Sequence, residues 1–218
     1  MISVIIPAYK ATRYIDECLA SIKGECEILI GVDGCQETYN HVKHLDNVFY
    51  FQENVGPYVI KNTLSDIAKG EILLFFDADD VMVDGLLNII NKNIQNVDYI
   101  PLNYINFQNI IKPSGHIMND AVIAIKKNVF NSLNGFHPWK CGADTEFGYR
   151  LQYNNFKKGK LDGVSYHRRL HDENLTIRKE TGHGSLIRNG YTEIINRNIR
   201  QNNWPSPQTK TIQEYVKN

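Results

Sequence analysis

The sequence has no long apolar run, little cysteine and no excess of either charge. Nothing in its 218 residues approaches the ~18 consecutive apolar residues of a membrane span, so no integral membrane span is expected. The opening MISVIIPAY lacks the basic start and long apolar core of a signal peptide. Four cysteines (Cys18, Cys26, Cys35 and Cys141) are too sparse for a disulfide scaffold, and no CxxC pair points to zinc or redox work. A reducing, cytoplasmic setting fits that usage best. Lys+Arg 24 balance Asp+Glu 24, so no global field draws the chain to nucleic acid or to anionic lipid. Internal repeats and low-complexity linkers are also missing, and at ~150 residues per domain the length favours one domain over 1–218. What is there is a folding composition: 42% hydrophobic, 11% aromatic and only 22% charged.

The first 76 residues alternate strand and helix signals. Ser3 to Ile6 is a β-branched apolar run stopped by Pro7, followed by a helix with Thr12 as its cap and Ile15, Cys18, Leu19 and Ile22 on its inner face. Glu27 to Val32 reads as a second strand ending in the turn pair Asp33-Gly34, and Glu37 to Leu45 as a polar helix. Val48 to Gln52 is a third strand, and Pro57 to Gly70 brackets a helix. Glu71 to Phe76 has no alternation and is expected to be buried on both faces. This order predicts an α/β fold with a Rossmann-like, mostly parallel sheet and helices on both faces, whose ligands bind at the carboxyl ends of the strands. Beyond residue 80 the spacing predicts a helix at Val83 to Asn91, strands at Asp98 to Phe107 and Ala121 to Ile125, and a loop around Lys112-Pro113-Ser114-Gly115. A helix at Asp144 to Tyr153, a strand at Gly163 to Leu170 and a helix at Ser185 to Arg200 follow, with antiparallel additions to the sheet. Residues 201–218, with Trp204-Pro205-Ser206-Pro207, read as a tail or docking segment.

Chemistry collects at one strand end. Asp77-Ala78-Asp79-Asp80 directly follows the buried run Ile72 to Phe76, and in extended chain Asp77 and Asp79 point the same way. Two hard oxygen ligands with open positions beside them suit Mn²⁺ or Mg²⁺ bridged to a diphosphate. An acidic turn in which Asp80 caps the next helix is the plainer reading.

The string from Glu53-Asn54-Val55-Gly56-Pro57 through Lys61-Asn62 and Ala68-Lys69-Gly70 to Asp77-Ala78-Asp79-Asp80, together with Ser3 to Tyr9, resembles the nucleotide-sugar half of family 2 glycosyltransferases of GT-A fold. The resemblance spans residues 2 to 82. It implies an inverting, metal-dependent transfer of a sugar from a UDP-sugar donor to a hydroxyl of a glycan or glycoconjugate acceptor, with 1–82 holding the donor and 83–200 the acceptor side. By resemblance Asp77 and Asp79 fall on the DxD positions that hold donor ribose and metal, and Asn54, Gly56, Lys61 and Ala78 lie in the donor-binding segment. Pro7, Ala8 and Tyr9 would form the nucleotide's other wall, or simply the edge of the core. Asp33 falls where the family has an aspartate pair that reads the base; Val32 replaces the first, and a bare turn at Asp33-Gly34 is equally compatible. A carboxylate there can accept the uracil imide N–H.

Two further clusters carry the resemblance. In Lys140-Cys141-Gly142-Ala143-Asp144-Thr145-Glu146, Asp144 sits on the general-base position and Ala143 replaces the usual Glu. Glu146 is a rival, but in one helix it points ~200° away from Asp144. A plain helix cap is the other use for Asp144. Tyr166-His167-Arg168-Arg169-Leu170-His171 resembles the family's R-x-H segment, implying diphosphate contacts from Arg168 or Arg169 and metal ligation by His171. If the strand continues, Arg169 and His171 share a face; if the chain turns at Leu170, Arg168 is the inward one; a solvated basic edge is the third possibility. His183, between two glycines, is a loop histidine that orders a donor loop or does nothing special. A catalytically inactive nucleotide-sugar-binding module is an alternative, given the replacements at 32 and 143. A sugar-1-phosphate nucleotidyltransferase would want a glycine-rich loop after the first strand, and Ala8 to Arg13 has no glycine.

Overall fold

The structure is a computed structural model, and it describes residues 1–108 and 118–217. The four strands expected first are β1 (Ile2–Ala8), β2 (Glu27–Asp33), β3 (Val48–Phe51) and β4 (Ile72–Phe75), separated by α1 (Ile15–Ser21), α2 (Gln36–Val42) and α3 (Pro57–Ile67). They pair in parallel in the order β4-β1-β2-β3. The chain then adds β5 (Val81–Met82), α4 (Leu86–Asn93), β6 (Tyr99–Phe107), β7 (Met118–Lys126), α5 (Lys127–Ser132), α6 (Ala143–Tyr153), β8 (Tyr166–Arg169), α7 (Leu186–Gln201) and β9 (Val216–Lys217). Among the described residues all strands join one nine-stranded sheet, ordered β5-β8-β6-β7-β4-β1-β2-β3-β9. β7 runs antiparallel to both β4 and β6, the antiparallel addition that the sequence leads one to expect.

Successive residues of the central strands serve opposite faces, which is why their sequences show no polar alternation. Val4 and Ile6 of β1 and Leu74 of β4 pack into one layer with Ile15 and Ile90; Ile5, Leu73 and Phe75 pack into the other with Ile60, Phe130 and Phe147. The second layer is tight where α3 crosses β2. A side chain at Gly31 would collide with Ile60 and come within 3.0 Å of Leu64.

Several expectations are corrected. Thr12 does not cap α1, which begins after Tyr14; the Thr12 hydroxyl donates to Glu37 instead. Asp80 does not cap the following helix, because α4 begins only after Gly85 in the left-handed region (φ 77°). The strand expected at Gly163 to Leu170 is the four-residue β8. α5 and β9 have no counterpart in the sequence reading. Of the two readings of residues 201–218, a tail or a docking segment, the packing fits the second: Trp204 is buried, Asn134 donates to the carbonyls of Pro207 and Gln208, Lys210 bonds Asp66 and Asn131, and β9 pairs antiparallel with β3. The loop expected at Lys112 to Gly115 lies outside the described residues.

Candidate active site

The carboxyl ends of β1, β2 and β4 open into a cavity of about 390 Å³. Pro7, Ala8 and Tyr9 line it from the end of β1, Asp33 from β2, and Asn54, Gly56 and Lys61 from the turn before α3 and its first turns. Asp77, Ala78 and Asp79 line it from the end of β4, Asp144 from α6, and Arg168 and His171 from the end of β8. Among the expected site residues, Arg169 does not line this cavity. β8 stops at Arg169; Arg168 and, past that end, His171 line the cavity while Arg169 faces away. The Arg169 guanidinium lies between the rings of Tyr14 and Phe107, donates to the Asp79 carbonyl at 2.9 Å and pairs with Glu17.

Each acid after β4 has a different partner. Lys61, buried along α3, donates to Asp77 Oδ1 at 3.1 Å. Asp79 Oδ2 accepts from His171 Nε2 at 2.7 Å and from Asn174 Nδ2 at 2.9 Å. Asp80 is buried and accepts the backbone N–H of Arg169, tying β8 to the β4 turn. Burial first, then the neighbouring Asp79 and Asp77 charges, push its carboxyl well above the usual range.

Asp33 is held by the loop it faces. Val55 N–H donates to Oδ1 at 2.7 Å, Gly56 N–H and the Asn54 amide donate to Oδ2 at 3.1 Å each. Three donors on a carboxylate that offers about four acceptor positions leave about one for a ligand. Burial raises its pKa to about 6 against these hydrogen bonds and the charges of Lys140 and Arg178.

α6 starts after Gly142, itself left-handed (φ 78°), so Asp144 lies in the first helical turn and is not the N-cap. Its Oδ1 accepts the Thr145 N–H at 2.7 Å. Asp144 also faces the Tyr58 phenol, whose pKa is driven well up by burial and then by the Asp144 charge. Glu146 is turned into the protein: it and Arg150 are both 0% exposed, with Arg150 Nε 2.8 Å from Oε1. Arg150 also donates to the carbonyls of Leu133 and Gly135. Burial lifts Glu146 to about 7 despite that pairing. The two acids therefore lie on different sides of α6, Asp144 lining the cavity and Glu146 in the core.

The sequence reading missed the residues that the chain contributes after β8. Asn174, Thr176, Arg178 and Arg188 line the cavity, and so does Lys140 before α6. Arg168 Nη2 donates to Thr176 Oγ1 at 2.8 Å. Arg188 is fastened to the Leu175 and Thr181 carbonyls. His183 also lines the cavity. Lys140, Asn174, Thr176, Arg178 and His183 lie outside the strands and helices, so no period reveals them.

Among the described residues no group of three or more His, Cys, Asp and Glu side chains is gathered for a metal ion. The expected trio of Asp77, Asp79 and His171 is thus not a preformed cage, because Asp77 is turned to Lys61 and His171 to Asp79. The donors still suit Mg²⁺ or Mn²⁺, ions that take one or two carboxylates and fill the remaining positions with water and phosphate oxygens. Asp79 Oδ1 has no protein hydrogen-bond partner among the described residues. No described helix is long and apolar enough to cross a membrane.

Comparison with known proteins is consistent with this architecture. The chain resembles the glycosyltransferase GlyG of Streptococcus pneumoniae serotype 4 (26% identity over 120 residues, 49% of this chain and 40% of that one). Matched segments span between 18% and 40% of the curated relatives' own lengths. In fold it matches S. aureus TarS 1-349 in complex with UDP-GlcNAc (TM-score 0.66, 20% identity, 79% of this chain and 59% of that one). It also matches the mannosyltransferase PcManGT of Pyrobaculum calidifontis in complex with GDP-Man and Mn²⁺ (TM-score 0.68, 16% identity, 94% and 65%). The α/β sheet is that of the GT-A glycosyltransferases. The model of the family described as "Glycosyl transferase family 2" matches residues 3–154, which carry β1 to β4, the acidic turn and α6, and the chain belongs to that family.

Proposed function

We propose that this chain is an inverting, metal-dependent glycosyltransferase that moves a sugar from a UDP-sugar to a hydroxyl of a glycan or glycoconjugate acceptor. The observation that carries this reading is that Asp79, at the tip of β4, and Asp144, in the first turn of α6, line one cavity, while Glu146 is withdrawn into the core. Asp144 accepts the proton of the acceptor hydroxyl as the new glycosidic bond forms. Attack from the side away from the departing diphosphate inverts the anomeric carbon. Lys61, Arg168 and Arg178 place positive charge where that diphosphate would sit. Asp79, with Asp77 and His171 beside it, would hold a divalent Mn²⁺ or Mg²⁺, which would supply electrophilic charge neutralisation there. A fold relative carries UDP-GlcNAc, and Asp33's remaining acceptor position suits a uracil imide N–H, which together favour a uridine donor. The four free cysteines fit a reducing, cytoplasmic site of action.

Thermal stabilisation by a panel of nucleotide sugars, with and without Mn²⁺, tests the reading. The expected result is a metal-dependent rise in Tm with UDP-sugars; no response to any nucleotide sugar overturns it.

A further inference from the structure

The wall that presents Asp79 is braced by residues beyond the segment that the family model matches. Asn174 is only 8% exposed and bridges two neighbours. Its Nδ2 donates to Asp79 Oδ2 at 2.9 Å, and its Oδ1 accepts the His171 backbone N–H at 2.8 Å. His171 Nε2 reaches the same Oδ2 at 2.7 Å, so one carboxylate oxygen takes both donors while Oδ1 keeps its lone pairs. His171 is itself steadied by the Tyr14 ring, 4.7 Å between centroids.

The backbone just after Asn174 is pinned. The Leu175 carbonyl accepts from Arg188 Nη2 at 2.9 Å and from the Thr181 hydroxyl at 2.9 Å. Arg188 Nε donates to the Thr181 carbonyl at 2.6 Å. The turn closes at Gly182, where a Cβ would lie 2.6 Å from the Arg178 carbonyl oxygen and 2.8 Å from that of Ile177. The segment from 174 to 188 is therefore tied to itself and to the first turn of α7.

We infer that Asn174 is a positioning residue for Asp79, kept in place by Arg188 acting through Leu175, and that this brace turns one carboxylate oxygen of Asp79 to the protein and leaves the other for a divalent cation. The assignment rests on the metal-binding reading of Asp79 proposed above. Terminal carboxylate torsions have broad wells, so an unbraced aspartate must lose that freedom when it binds a cation. A neutral amide donor fixes it without adding a charge that competes with the ion. Partners of this kind behind a metal ligand are typically worth ~10–100-fold in metal affinity.

The test is Mn²⁺ affinity, read from the paramagnetic resonance of the free ion, for the parent, Asn174→Ala and Arg188→Met, alone and with UDP. Near-ultraviolet circular dichroism reports folding. Asn174→Ala is expected to weaken Mn²⁺ binding ~10–100-fold, with metal-free UDP affinity unchanged. If that variant does not fold, Arg188→Met, whose side chain touches neither Asp79 nor His171, carries the expectation of weaker Mn²⁺ binding. Parent-like Mn²⁺ affinity in a folded Asn174→Ala, or in Arg188→Met where the alanine variant does not fold, overturns this assignment alone. A parent that binds no Mn²⁺ with or without UDP overturns the metal reading beneath it, and with it the brace.

Discussion

Lys61 and Asp77 meet at 3.1 Å beside the cavity, the lysine side chain 9% exposed and the aspartate 46%. The pair ties α3 to the acidic turn, and it is unequal, since the more buried partner is the cation. Replacing Asp77 with Asn therefore leaves a buried ammonium short of its counter-charge. The expected cost is about 1–3 kcal/mol, the price of an unsatisfied buried group, and Lys61→Met should cost less. Urea midpoints of the two variants check the order.

Asp144 and Glu146 should separate chemistry from stability. Asp144→Asn is expected to lower kcat by about 10²–10⁴-fold, the usual worth of a general base, with the donor dissociation constant unchanged. Unchanged turnover would remove Asp144 from the base role. Glu146→Gln is expected to act on the fold instead, because it removes the carboxylate that Arg150 Nε meets in the core: the melt should shift while turnover per folded molecule does not. A melt of each variant beside its turnover number distinguishes the two.

Asp33 should make both stability and base recognition pH-dependent. Its folded pKa of about 6 lies above the ordinary 3.8, so the folded chain holds this proton more tightly than the unfolded one. The stabilisation is complete below about pH 4 and is lost as pH rises through about 6. Asp33→Asn should therefore flatten the parent's fall in stability across that interval. Recognition runs the other way for uracil: protonation of Asp33 withdraws an acceptor, so UDP affinity should fall on acidification through about pH 6. CDP, whose ring nitrogen accepts, should show no such loss. Calorimetry with both nucleotides at pH 5 and pH 7.5 checks this.

Trp204, 6% exposed, stacks on Tyr149 at 4.6 Å and 10°, fixing the C-terminal segment to α6. Trp204→Ala is expected to cost about 3–5 kcal/mol, as for other large buried aromatics. A stability within experimental error of the parent would show that the segment is not part of the cooperative unit.

The first 80 residues were legible because their signals are local. Buried strands such as Ile72 to Phe75 need no alternation, Pro57 opens a helix, and Asp77 and Asp79 follow at fixed spacing. That Asp144 and Glu146 lie on different sides of α6 was legible for the same reason, since helix periodicity separates them. What escaped was settled by contacts distant in sequence. Whether Arg168 or Arg169 faced inward depended on where β8 ends, and that end is set by Asp80, 89 positions away, accepting the Arg169 N–H. Asn174 carries no periodic signal, and its use appears only once Asp79 lies beside it. Trp204 among prolines reads as a tail or as a docking segment until the ring of Tyr149 is seen to cover it.

β9 is two residues long and lies along β3 at the outer border of the sheet. A strand with free backbone donors and acceptors invites pairing with another chain, and a very brief final strand offers little for a second molecule to extend. β9 thus covers this border of β3: without Val216 and Lys217, Phe49 and Tyr50 would present an uncovered edge of the kind that invites pairing.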